Sequence, residues 1–173
     1  MAELTAQERL QPALLDRLTD DDVTNTQPEP RESRVISKAR LRQAVLRDLA
    51  WLFNATRYSG GDSLLGLPHV QSSVINFGLP ALSGETASSL DITRLEDGIR
   101  EAILSYEPRI LPSTLEVQAV IAENQMDQHN VVSIEIRGNL WAHPVPIEFL
   151  LRTDVDLETG EVHIRDMDAS GFR

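Results

Sequence analysis

The sequence predicts an α+β domain in which helices pack on one face of a mostly antiparallel sheet. Two observations carry this. Up to Tyr106 the apolar residues recur at intervals of three and four, the period of a helix with one buried stripe. From Leu115 onward they alternate with polar residues, the period of a strand with one covered face. Helices first and consecutive strands afterwards give a layer of one on the other. The chain has 173 residues, 41% hydrophobic and 25% charged, which suits one globular domain with extensions.

Leu10, Leu14 and Leu18 form one stripe of a short helix, followed by Asp20, Asp21 and Asp22 and a polar stretch with Pro28 and Pro30. Residues 1–33 therefore read as a helical arm and linker. Isolated helices under about 12–15 residues are marginal in water, so the arm should dock, with its own body the favoured site over a partner. The domain proper spans residues 34–168, and 169–173 form a short tail. Its first helix is expected from Ser37, an N-cap residue, to Asn54, with Leu41, Val45, Leu49 and Leu52 on one face and Leu46 and Phe53 beside it. Residues 58–90 hold five glycines and two prolines and read as an irregular segment with one short helix near Val70 to Ile75. A further helix runs from Ile92, capped by Asp91, to Tyr106, because Pro108 disfavours helical geometry at Glu107.

The strands follow. Leu115, Val117, Ala119 and Ile121 share a face, as do Val132, Ile134 and Ile136. Ile147, Phe149, Leu151, Thr153, Val155 and Leu157 make the longest alternation. Glu158 to Glu161 reads as a turn, after which Val162 and Ile164 resume the pattern.

Composition excludes several functions. There is no cysteine, so no disulfide framework, thiolate metal site or cysteine nucleophile exists. No run approaches the roughly 20 apolar residues of a membrane span, and MAELTAQERL lacks the apolar core of a secretory signal. The net charge of −11 divides into −5 over residues 1–30, +5 over 31–57 and −11 over 58–173. An acidic body disfavours nucleic acid, whose phosphates require a basic face. His69, His129, His143 and His163 include no pair at metal-site helical spacing, and no phosphate-binding glycine loop or nucleophile elbow occurs. No cofactor or metal is expected. A glycosidase needs two carboxyl groups about 5 Å or about 6.5–9.5 Å apart in a cleft. With only 5% aromatic residues, a sugar cleft finds little support. A small-ligand pocket lined by residues 58–90 has no convergent polar set to identify its ligand.

The distinctive segment is Glu107-Pro108-Arg109. A carboxylate at a helix C-terminus meets the negative end of the helix dipole. Arg109 directly follows, and its planar fork suits desolvated contacts with carboxylate or carbonyl groups. Two readings stay open on spacing alone. One is an intramolecular salt bridge that ties off the helix; the other is a rigid polar handle for a macromolecular partner.

At this residue set the chain resembles the TssE family of type VI secretion baseplate subunits, related to the phage-T4 baseplate wedge protein of gene 25. Leu14-Leu15-Asp16-Arg17-Leu18-Thr19-Asp20 resembles the family's N-terminal arm, and LRQAVLRDLAWLFN from Leu41 to Asn54 its first core helix. Ser73-Val74-Ile75-Asn76-Phe77-Gly78-Leu79-Pro80 resembles its loop signature, and Glu107-Pro108-Arg109 its EPR motif. The resemblance implies a non-enzymatic wedge subunit in the cytoplasm, at the membrane-docked baseplate. Its implied partners are TssF and TssG, with TssK and the sheath proteins TssB and TssC beyond them. It implies that Glu107, Pro108 and Arg109 bind the partner, and that the subunit helps to seed the contractile sheath. Strand addition at an open sheet edge would fit the sheath contact. On this reading Arg109→Ala should leave folding largely intact and weaken wedge assembly. The runner-up is a peptidoglycan hydrolase of lysozyme type, a word that family names often carry.

Overall fold

The computed structural model describes residues 13–18, 36–58, 64, 66–81, 91–120, 131–142 and 145–167. Leu10, the linker after Leu18, Ile121, His129, His143 and the tail lie outside these residues. The helices are α1 (Leu14–Leu18), α2 (Lys38–Phe53), α3 (Pro68–Gln71) and α4 (Ile92–Tyr106). The strands are β1 (Glu116–Val120), β2 (Val131–Leu140), β3 (Ile147–Asp156) and β4 (Val162–Asp166). They form one antiparallel meander in the order β1-β2-β3-β4. This is the α+β fold that the two periodicities predict.

The two long helices end where local chemistry ends them. Ser37 accepts a hydrogen bond from Arg40 N at 3.2 Å, and Asp91 from Arg94 N at 3.2 Å, so each caps an otherwise unpaired amide. Inward faces follow the expected stripes: Leu41, Val45, Leu49 and Leu52 from α2, and Leu95, Ile99, Ala102 and Ile103 from α4, are buried. They meet Val117, Ile134, Ile136, Leu151 and Val155 from one face of the sheet in a single core. Each fully buried aliphatic side chain contributes about 1.5–3 kcal/mol. Thr153, the polar member of the β3 stripe, is buried, and its hydroxyl donates to Ile134 O at 3.1 Å. The expected short helix near Val70 appears as α3 followed by a 3-10 turn at Val74–Asn76.

α4 packs beside β1 and α2 beside β4, and this placement treats the two sheet edges differently. At β1, three backbone groups on the outward side meet side chains of α4. Arg100 donates to Leu115 O and Val117 O at 3.4 Å each, and Glu96 accepts from Ala119 N at 2.6 Å. At β4, Asn54 engages only Val162, accepting from its N at 3.0 Å and donating to its O at 3.0 Å. In an antiparallel ladder the outward residues alternate. Ile164 and Asp166 are therefore the next to face outward, and their backbone groups on that side have no partner among the described residues.

The β3–β4 turn carries a pH dependence. Asp156 accepts from Glu158 N at 2.8 Å and Thr159 N at 3.1 Å, and these amides hold its carboxyl below the usual carboxylate range. A depressed folded-state pKa contributes stability that is present above the unfolded value, near pH 4, and is lost as pH falls through the folded value. Asp156→Ala should therefore lower stability at neutral pH and leave the variant closer to the parent as the pH is taken below the folded value, read from urea midpoints across the acid range.

Candidate functional site

Glu107 is the residue that ends α4, its amide still donating to Ile103 O at 2.8 Å. The chain then turns through Pro108, and Ile110 N closes the corner on Glu107 O at 3.2 Å. Beyond the turn the segment is tied to the end of β2: Trp141 N donates to Arg109 O at 2.7 Å, and Leu111 N to Asn139 O at 2.8 Å. Ile110 is buried beneath it. The corner thus has a fixed backbone on both sides.

Its side chains are equally constrained. Arg109 donates from Nε to Glu107 Oε1 at 2.6 Å and from Nη2 to Oε2 at 2.5 Å, a bidentate fork of the kind only arginine makes. The Arg109 amide adds a third bond to Oε1 at 3.2 Å. Glu107 is only 4% exposed, so its charge at the negative end of the helix requires this answer. Nη2 also reaches Asp48 Oδ2 on α2 at 2.5 Å. Burial pulls the Arg109 pKa down, but the hydrogen bonds and charges of Glu107, and then of Asp48, more than reverse that and leave it raised. The guanidinium is permanently charged.

The network continues past Asp48. Arg47 donates to Asp48 Oδ1 from Nε at 3.0 Å and from Nη2 at 2.8 Å, stacks over the Trp51 ring at 5.0 Å, and donates from Nη1 to Asp16 Oδ1 on α1 at 2.6 Å. One alternating line of carboxylates and guanidiniums therefore runs from the arm, across α2, to the corner.

Of the two readings left open by spacing, the side-chain geometry is that of the intramolecular bridge. Glu107 is covered, the Arg109 side chain is 22% exposed, and Pro108 is the outward residue of the three. The geometry adds a stability cost to Arg109→Ala that spacing alone does not give, because removing the guanidinium strands a buried carboxylate. Sequence reasoning missed Asp48 and Arg47. Asp48 lies 61 residues from Arg109, and no spacing rule joins them.

The Ser73–Pro80 loop packs against α4. Tyr106 donates to Ser73 O at 2.9 Å and packs edge-on against Phe77 at 5.2 Å, while buried Asn76 donates to Gln71 O at 3.0 Å. Leu79 pairs with the chain after α2, donating to Ala55 O at 2.9 Å and accepting from Arg57 N at 2.8 Å. His69 and His163 are exposed. A groove between α2 and β4 is lined by Leu46, Ala50, Asn54, Val162, Ile164 and Asp166, and Arg42 holds the Asp166 carboxylate by two hydrogen bonds. Among the described residues no helix is long and apolar enough to cross a membrane.

A family model described as baseplate wedge protein gp25 matches residues 39–145, more than half of the chain. The matched segment runs from α2 through the corner to the end of β2. No curated protein and no solved structure matches the chain.

Proposed function

Because the chain belongs to the gp25 baseplate wedge family, we propose that it is the wedge subunit of a type VI secretion baseplate, in the cytoplasm at the docked machine, and that its Glu107-Pro108-Arg109 corner docks on the TssF–TssG wedge core. Membership of a baseplate family implies assembly with other baseplate proteins and gives no support to a lysozyme-type hydrolase. The finer assignment rests on the corner itself. Its backbone is held by α4 on one side and β2 on the other, and its guanidinium is oriented by two carboxylates. A surface ordered before its partner arrives loses little conformational entropy on docking. Pro108 and the exposed flank of Arg109 are what a partner would meet.

Sheath seeding has a physical basis in the unequal edges. β1 is occupied by Glu96 and Arg100, whereas β4 offers Ile164 and Asp166 beside a partly apolar groove. A strand added there would gain backbone hydrogen bonds and side-chain pockets together. β4 is accordingly the edge proposed to meet TssB and TssC, with TssK reached through the wedge.

The docking test needs a variant that removes the ion pair without stranding one charge. Glu107→Gln with Arg109→Met does so, leaving Asp48 paired to Arg47. Co-expressed with TssF and TssG, the parent chain should be retained on the tagged core and the double variant at least tenfold less, a loss of about 1.4 kcal/mol or more. Equal retention of a folded double variant removes the corner from docking.

A further inference from the structure

The α1 helix is attached to the body by its polar side. Residues four apart on a helix share a face, and residues two apart lie on nearly opposite ones. Leu14 and Leu18 thus form one face and Asp16 the other. It is Asp16 that meets the body, through Arg47 at 2.6 Å, with its side chain only 19% exposed. Leu14 is 70% exposed and Leu18 75% exposed. An amphipathic helix packed on its own domain does the reverse. Short helices hold together only through what they pack against, so a helix oriented this way is half of a contact.

Charge selects the occupant. Residues 1–30 carry −5, with Asp20, Asp21 and Asp22 directly after the stripe, and the whole chain carries −11. A second copy of this chain is acidic overall, its one basic stretch, residues 31–57 at +5, being outweighed by −11 over residues 58–173, and an anionic bilayer is negative throughout. An apolar groove rimmed by lysine and arginine presents the opposite charge, and it accepts leucines spaced four apart by the helix-in-groove mode. The same Arg47 that holds Asp16 holds Asp48, which holds Arg109, so the arm and the corner are positioned by one set of ion pairs.

We propose that Leu14 and Leu18 anchor α1 in an apolar, basic-rimmed groove of a neighbouring baseplate protein, making the arm a second docking element beside the corner. The proposal rests on the wedge reading above for the identity of the assembly.

The test uses the full chain co-expressed with TssF, TssG and TssK, comparing the parent, the Glu107→Gln/Arg109→Met variant and Leu14→Ser/Leu18→Ser. The leucine variant should unfold at the parent temperature, because Leu14 and Leu18 are exposed and cover no core residue among those described, yet be retained at least tenfold less. Parent retention should also fall as salt is raised, since a basic rim meets an acidic arm. Undiminished retention of the leucine variant overturns the proposal. So does a clear drop in its unfolding temperature, which would put the stripe against its own body, or sedimentation showing a parent dimer that the variant breaks. Loss of the leucine variant alone, with the corner variant retained, upholds the arm and sinks the corner. A parent chain that is not retained at all sinks both.

Discussion

Alanine at Gly78 should destabilise the domain by about 4 kcal/mol or more, enough to prevent folding in a marginal background. Gly78 has φ +128°, a conformation that L side chains rarely adopt. A Cβ there would lie 2.3 Å from Ala55 O, 2.6 Å from Ala55 C and 2.9 Å from Arg57 N. All three are backbone atoms, so no rotamer change relieves the overlap. The atoms that would have to move are the ones that pair with Leu79, a residue of the core. Relief therefore breaks the bridge that ties the loop to the end of α2. For a chain of this size the loss corresponds to a fall in Tm of roughly 8–16 °C. Gly66 is the control, with φ +90° and nothing within 4 Å of a built Cβ, so its alanine variant should lose only about 1–2 kcal/mol. Thermal unfolding of the two side by side decides the matter, and equal midpoints would show that the close approach at Gly78 is not a constraint.

The second large effect is at the corner. Arg109→Ala should cost about 2–3 kcal/mol in urea unfolding, toward or below the low end of the range for breaking a buried pair because the arginine is partly exposed. The loss comes less from the missing attraction than from the Glu107 carboxylate left behind at 4% exposure. Glu107→Gln with Arg109→Met should accordingly be more stable than Arg109→Ala although it changes more atoms. A double-mutant cycle of Glu107→Gln and Arg109→Met should return a coupling of about 1–3 kcal/mol. Additive losses, with the double variant the least stable, would mean the pair is solvated and the corner loosely held. The cycle also separates folding from docking, which single truncation of Arg109 cannot do.

The elements were legible because their causes are local. A helical stripe, a capping Ser37 or Asp91 and a following Pro108 act within a few residues, and the boundaries of α2 and α4 agree with those signals. Alternation is equally local and gave the inward residues of β2 and β3. The corner was legible as an unusual tripeptide, but what its charges do was not. Ion pairing depends on distance in space, and Asp48 reaches Arg109 across 61 residues of chain. The direction of α1 was hidden for a similar reason. Periodicity shows that Leu14 and Leu18 share a face, whereas which face meets the body is set by Arg47 on another helix.

By itself, then, the sequence determined the layer architecture, the ends of the long helices, the inward faces and the family's motifs, all written in short-range patterns of polarity and backbone preference. Only the tertiary structure decided that Glu107 is sealed by Arg109, that among the described residues β1 meets α4 side chains where the outer edge of β4 beyond Val162 meets none, and that Leu14 and Leu18 turn outward. Those outcomes depend on which side chains of distant segments come within hydrogen-bonding reach, and no local pattern encodes that.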